Sequence, residues 1–198
     1  MLRRAGEHFE VISNGVFLMD TRDGRSERLL VRAALEAAGD ARSLLIGGLG
    51  VGFSLREAVG EKGLGRIDVV EIEDALVQWH QSYLAGLSGH AVSDPRVSVV
   101  VADLADHVAA HSATYDVICV DVDNGPTWTV TPANDALYGE DGTRRLLAAL
   151  RPGGVLAVWS AMQVPAYEQM LRDVGCDVAV HQVEVARGEP DVVYVALR

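Results

Sequence analysis

The run Ser43-Leu44-Leu45-Ile46-Gly47-Gly48-Leu49-Gly50-Val51-Gly52-Phe53-Ser54-Leu55-Arg56-Glu57 decides how the chain is read. It opens as an apolar strand, passes through a glycine-rich turn and resumes at helical spacing. Gly48, Gly50 and Gly52 form GxGxG. Glycine reaches positive φ and lets the backbone approach a ligand closely. The first amides of the helix that follows have no intrahelical partner and can hold an anion or a polar tail. A second apolar run then carries Glu71. That is about the spacing at which nucleoside-binding α/β folds set a carboxylate on ribose hydroxyls.

Outward from this loop, apolar strands alternate with helical patterns. Strands are predicted at Ser43–Ile46, 66–72, Val97–Val101, 116–121 and Val155–Trp159, with helices at 27–38, 51–59, 74–87, 104–111, 142–150 and 164–174. Asp141 is the expected N-cap of the helix at 142. Arg151-Pro152-Gly153-Gly154 reads as a tight turn into the fifth strand. Runs 177–185 and 191–197 flank Ala186-Arg187-Gly188-Glu189-Pro190 and predict a C-terminal antiparallel hairpin. Asn14-Gly15 between two β-prone runs predicts a short N-terminal β-hairpin, read as a cap over 1–24 ahead of a Rossmann-like domain at 25–198. The result is an α/β fold whose mostly parallel sheet is covered on both faces. Ligands of such sheets bind at the carboxyl ends of the strands. Gly48–Gly52, Glu71, Asp103 and Asp121 stand at four of those ends.

Composition narrows the function. The chain has 198 residues, one domain's worth, and a net charge of -11 without a Lys/Arg-rich run. An acidic surface repels phosphate backbones, so nucleic acid is not the expected partner. Cationic or neutral small molecules suit it better. Cys119 and Cys176 read as buried reduced thiols, and no Cys/His spacing suggests a metal. No leader-like or membrane-spanning run occurs, and the expectation is a cytoplasmic protein with no membrane partner.

Several stretches resemble the class I S-adenosylmethionine-binding methyltransferase fold and, within it, the spermidine/spermine synthase family. They are Ile46-Gly47-Gly48 with Gly52 and Leu55-Arg56-Glu57; Val70-Glu71-Ile72-Glu73; Asp94-Pro95-Arg96-Val97 leading to Ala102-Asp103; Tyr115–Ile118 with Val120-Asp121; and Leu150–Leu156. The resemblance covers most of 40–198. It implies a transferase that binds S-adenosylmethionine through Gly47, Gly48, Gly50, Gly52, Glu71, Ile72, Asp103, Leu104 and Asp121, without a metal. It also implies a homodimer, for which the N-terminal hairpin offers a sheet edge.

Three departures shape the activity. The family's aminopropyltransferases place an acid in the glycine loop for the amine of decarboxylated S-adenosylmethionine; Gly50 stands there. The second acid of the catalytic loop is replaced by Asn124. The family's Tyr-His pair gives way to Asp23-Gly24-Arg25-Ser26-Glu27-Arg28. A neutral Gly50 tolerates the full cofactor's carboxylate. The reading therefore favours methyl transfer to an amine or hydroxyl of a small molecule. Aminopropyl transfer to a polyamine is the first alternative, and a non-catalytic nucleoside sensor or assembly subunit the second. Asp121 and Asp123 are the candidate catalytic acids, able to orient or deprotonate an acceptor. Asn124, Trp128, Tyr138 and Trp159 are candidate substrate contacts. Trp79 and Tyr83 are expected in the core.

Overall fold

The computed structural model describes residues 1–13, 15–129, 134–186 and 188–198. Of the sequence features above, Asn14 and Arg187 lie outside the described residues.

The central strand β4 (Ser43–Gly47) is buried along its whole length. Parallel neighbours flank it, β5 (Arg66–Glu71) on one side and β7 (Tyr115–Val120) on the other. β6 (Val97–Val101) extends the sheet beyond β5. β8 (Leu150–Ser160) extends it beyond β7. β10 (Asp191–Leu197) and β9 (Asp177–Val183) then close it antiparallel, giving the order β6-β5-β4-β7-β8-β10-β9. Chain direction along the sheet reverses between β4 and β7, and a crevice opens where the two connections part.

Successive residues of each strand face opposite layers. Leu44 and Ile46 pack beneath α1 (Arg25–Ala38) and α2 (Phe53–Gly60), while Leu45 faces the layer of α4 (Leu104–Ala109), α6 (Glu140–Ala149) and α7 (Pro165–Asp173). Burial on both faces explains why these strands read as unbroken apolar runs.

Ahead of α1 lies a separate three-stranded sheet of β1 (Leu2–Ala5), β2 (His8–Ser13) and β3 (Val16–Asp20). The sequence predicts only its second hairpin. β1 is hidden because Leu2-Arg3-Arg4-Ala5 is polar in the middle; it is recruited by a two-residue turn at Gly6, φ 66°. Glu10, buried, is braced by Arg3 and Arg22. Val11, Leu18 and Met19 pack against Val51, Phe53, Leu76 and Trp79, so this sheet leans on the glycine loop.

Other boundaries move. α3 spans only Asp74–His80 rather than 74–87, and a string of turns follows, with Ser82 bonding back to Gln78 and Gly89 at φ 63°. Serine hydroxyls and glycines compete with helix continuation. Tyr83 consequently stands 66% exposed instead of in the core. α6 begins at Glu140 behind Gly139, so Asp141 sits in the first turn and is not the N-cap. A four-residue helix, α5 (Asp135–Tyr138), precedes it. Arg151–Gly154 lies inside β8 as an irregularity opposite Tyr115 and Val117, with Gly153 at φ 77°.

Candidate active site

A cleft opens over the carboxyl ends of β4, β5, β6 and β7, and the N-terminal sheet forms its far wall through Val11, Ile12, Leu18 and Met19. Gly48 lines it directly. Its φ is 93°, and a Cβ there would lie 2.1 Å from the Asp121 carbonyl oxygen. Only glycine lets the loop pass so close to the end of β7. Gly47 and Gly52 act behind the lining. A side chain at Gly47 would strike Leu104, and one at Gly52 would strike His80. Gly50 faces the N-terminal sheet, with Met19 Sδ 3.1 Å from where a Cβ would stand.

Glu71 ends β5 and is 6% exposed. Its Oε2 accepts the Leu49 N–H at 2.9 Å and its Oε1 the Glu73 N–H at 2.8 Å. Burial pushes the carboxyl up, and the backbone N–H groups around it pull the other way. Each oxygen keeps a second lone pair for a hydroxyl donor. Ile72, 55% exposed, and Leu104 line the same wall. Asp103 caps α4 through the Ala105 N–H at 2.7 Å and also lines the cleft. The site thus combines a close backbone turn, a carboxylate beside it and an acid on the next strand end, the arrangement in which α/β folds hold nucleosides.

Asp121 follows β7 and accepts the Ser54 hydroxyl at 3.0 Å. Burial, with Asp191 and Glu71 adding like charge, pushes its carboxyl up to about 6. Asp123 takes the left-handed backbone region at φ 53° and accepts the Asn134 amide at 2.8 Å. Asn124 is tied through its backbone to Trp128 and Ala161, and its residue lines the cleft. Glu71, Glu73, Asp103, Asp121 and Asp123 all line the cleft, and no Lys, Arg or His is among the described lining residues.

Three expected substrate contacts fall elsewhere. Trp128 is 52% exposed and outside the lining. Tyr138 is buried, donates its hydroxyl to the Val122 carbonyl and meets the Tyr167 ring edge-on at 6.1 Å. It shapes the loop from beneath. Trp159 packs on the α1 side of the sheet. Aromatic content marked these residues in the sequence, but core packing claimed Tyr138 and Trp159.

One residue that sequence reasoning set aside matters. His80 is fully buried, with Nε2 2.9 Å from the Gly50 carbonyl. Burial lowers its pKa, so a neutral ring donates to that oxygen and pins the glycine loop. No local pattern around His80 signals this; the contact crosses 30 residues. Among the described residues, no group of His, Cys, Asp and Glu is arranged to hold a metal ion, and no helix is long and apolar enough to cross a membrane.

The chain is 33% identical over 142 residues to putrescine N-methyltransferase 3 of Nicotiana tabacum, an alignment covering 69% of this chain and 36% of that protein. It is 34% identical over 134 residues to polyamine aminopropyltransferase 2 of Pseudomonas aeruginosa, covering 66% of this chain and 36% of that one. The match thus takes in little more than a third of either relative's length. A spermidine synthase crystallised with the transition-state analogue AdoDATO superposes with a TM-score of 0.81 at 19% identity, covering 96% of this chain and 66% of that one. The spermine/spermidine synthase domain model matches residues 25–187, more than half of the chain, and the chain belongs to that family of transferases.

Proposed function

We propose that this protein transfers the methyl group of S-adenosylmethionine to an amine of a small, cationic, polyamine-like molecule. One observation carries the reading: carboxylates face the cleft without a basic side chain, while the glycine loop itself offers the neutral Gly50. A cationic acceptor is drawn to such a site in preference to a neutral alcohol. When bound, S-adenosylmethionine supplies an activated methyl on a sulfonium. Glu71 would take its ribose hydroxyls and Asp103 its base, and the Met19 wall keeps water from the loop. Asp121, with its carboxyl raised to about 6, can take a proton from the acceptor ammonium near neutral pH. Asp123 and Asn124 line the approach.

Aminopropyl transfer is the second reading, supported by the 34% identity to a polyamine aminopropyltransferase. Calorimetry with S-adenosylmethionine and its decarboxylated form, followed by mass spectrometry of products from a diamine panel, separates the two. Tighter binding of the full cofactor and a methylated amine are expected. Tighter binding of the decarboxylated form with an aminopropylated product would overturn methyl transfer. Cofactor binding without any product would instead mark a sensor or assembly subunit.

A further inference from the structure

Behind Asp121, carboxyl groups from three distant segments converge. Asp121 follows β7, Glu27 sits in the first turn of α1, and Asp191 opens β10. Ser54 ties Asp121 to the main chain of Glu27, and Ser26 stands between the carboxyls of Glu27 and Asp191. Ser54 Oγ lies 3.0 Å from Asp121 Oδ2 and 3.4 Å from the Glu27 carbonyl oxygen. Ser26 Oγ lies 2.7 Å from Asp191 Oδ2 and 2.9 Å from Glu27 Oε2. A hydroxyl carries one proton and donates it once. The second of the Ser26 contacts is a hydrogen bond only if a carboxyl of Glu27 or Asp191 is protonated and donates in return.

The surrounding charges do not supply a competing counter-ion at Glu27. Arg25 is engaged with Asp23 and the Glu184 carbonyl, and draws Asp23 and Asp191 downward. Arg28 lies over the Phe53 ring at 5.2 Å. Asp23 pushes Asp191 up, and Glu71 does the same to Asp121. Burial, then the charge of Asp121, pushes Glu27 up to about 7. Like charges at such range cannot all ionise together.

We propose that Glu27 is a positioning residue for Asp121: α1 sets a second carboxyl against the base, and the linked acids hold a proton in common that a docking ammonium displaces. This rests on reading Asp121 as the acceptor's base. The acceptor ammonium then meets a group with its charge restored by its own arrival. Proton balance is simple: one proton leaves the acid group to solvent on docking, and Asp121 takes one from the acceptor nitrogen as the new carbon–nitrogen bond forms.

The test uses the full chain labelled with ¹³C at Asp and Glu carboxyls, titrated by NMR, with the Asp121 signal assigned by its loss in Asp121→Asn. In Glu27→Gln, which keeps the side chain's shape, the Asp121 midpoint is expected to fall by about one pH unit. Ser54→Ala removes a donor to the charged form and should raise it. In the pH profile of kcat/KM, the acid limb should move to lower pH in Glu27→Gln and return toward its original place in Glu27→Asp. An unmoved Asp121 midpoint in Glu27→Gln overturns the proposal, as does a shifted midpoint with an unmoved acid limb. If the two carboxyls titrate together but no amine is turned over, the pairing stands and the methyl-transfer reading falls.

Discussion

The two halves of the cleft are built differently. On the proposed function, the cofactor half takes Gly48, Glu71 and Asp103 from the ends of β4, β5 and β6, each at the head of its own βα unit. The acceptor half gathers Asp121, Asp123 and Asn124 from one loop and draws on α1 and β10 behind them; Ser26 meets Asp191 across 165 residues. In the first half, each residue is placed by the strand immediately before it. In the second, β7 places Asp121 as well, but its carboxyl is held by Ser54 and crowded by acids from segments that are strangers in sequence. A scaffold of this kind can keep its cofactor seat while its acceptor chemistry changes, and relatives that include both methyl- and aminopropyltransferases fit that division.

The sharpest way to break the contrast is to remove one group from each half. Asp121→Asn should lower turnover by about 10²–10⁴-fold while leaving cofactor affinity nearly unchanged, as expected for loss of a proton acceptor. Stopped assays read the first and calorimetry the second; unaltered turnover removes Asp121 from the chemistry. Glu71→Ala should do the opposite and weaken the cofactor by about 100-fold, roughly 2.7 kcal/mol. It also frees the Leu49 and Glu73 amides that the carboxylate now holds, so the loop loses its shape as well as its ribose partner. Equal losses in cofactor and acceptor binding would show that the halves are not separable.

A third expectation concerns pH. Glu27 and Asp121 have carboxyls raised to about 7 and about 6. An acid whose folded pKa is raised stabilises the fold below its unfolded pKa, and that stability is lost as pH rises through the folded value. Melting temperatures of the ligand-free chain should therefore climb as pH falls from about 8 toward 5, with a gain on the order of 2 kcal/mol for the linked acids together. Asp94 works in the other direction. Its hydrogen bonds to Arg96 hold it down to about 2, so its contribution is present above its ordinary pKa and lost as pH falls toward 2. Glu27→Gln should flatten the upper part of the profile only. A curve that is flat from pH 8 to 5 in the unaltered protein would count against the shared proton. The smallest expected effect belongs to Tyr138→Phe, which loses its bond to the Val122 carbonyl and about 1 kcal/mol of stability with turnover kept. A large rise in acceptor KM would return Tyr138 to the substrate contacts.

The same division explains what could be read in advance. The glycine loop, Glu71 and Asp103 are short-range signals, each an apolar run with a chemically suited residue at its end, and the sheet followed from their repetition. Asp121 was legible for that reason too. Glu27 was not, because a glutamate in the first turn of an amphipathic helix looks solvated until α1 is packed on the sheet. His80 was hidden similarly, by a bond to Gly50 that no local pattern encodes. Trp128, Tyr138 and Trp159 lie outside the described lining, and an aromatic in a loop or at a strand end says little about which side of the backbone it takes.

The N-terminal sheet contributes no strand to the large one and precedes the region that matches the family, residues 25–187. It nonetheless supplies a wall of the cleft and places Met19 over Gly50. On the proposed function, part of the surface that meets ligands is thus a panel packed against the glycine loop and outside the large sheet. Its side chains can be exchanged without touching a hydrogen bond of the seven central strands, which makes residues 1–20 the natural stretch in which to retune the protein's choice of ligand.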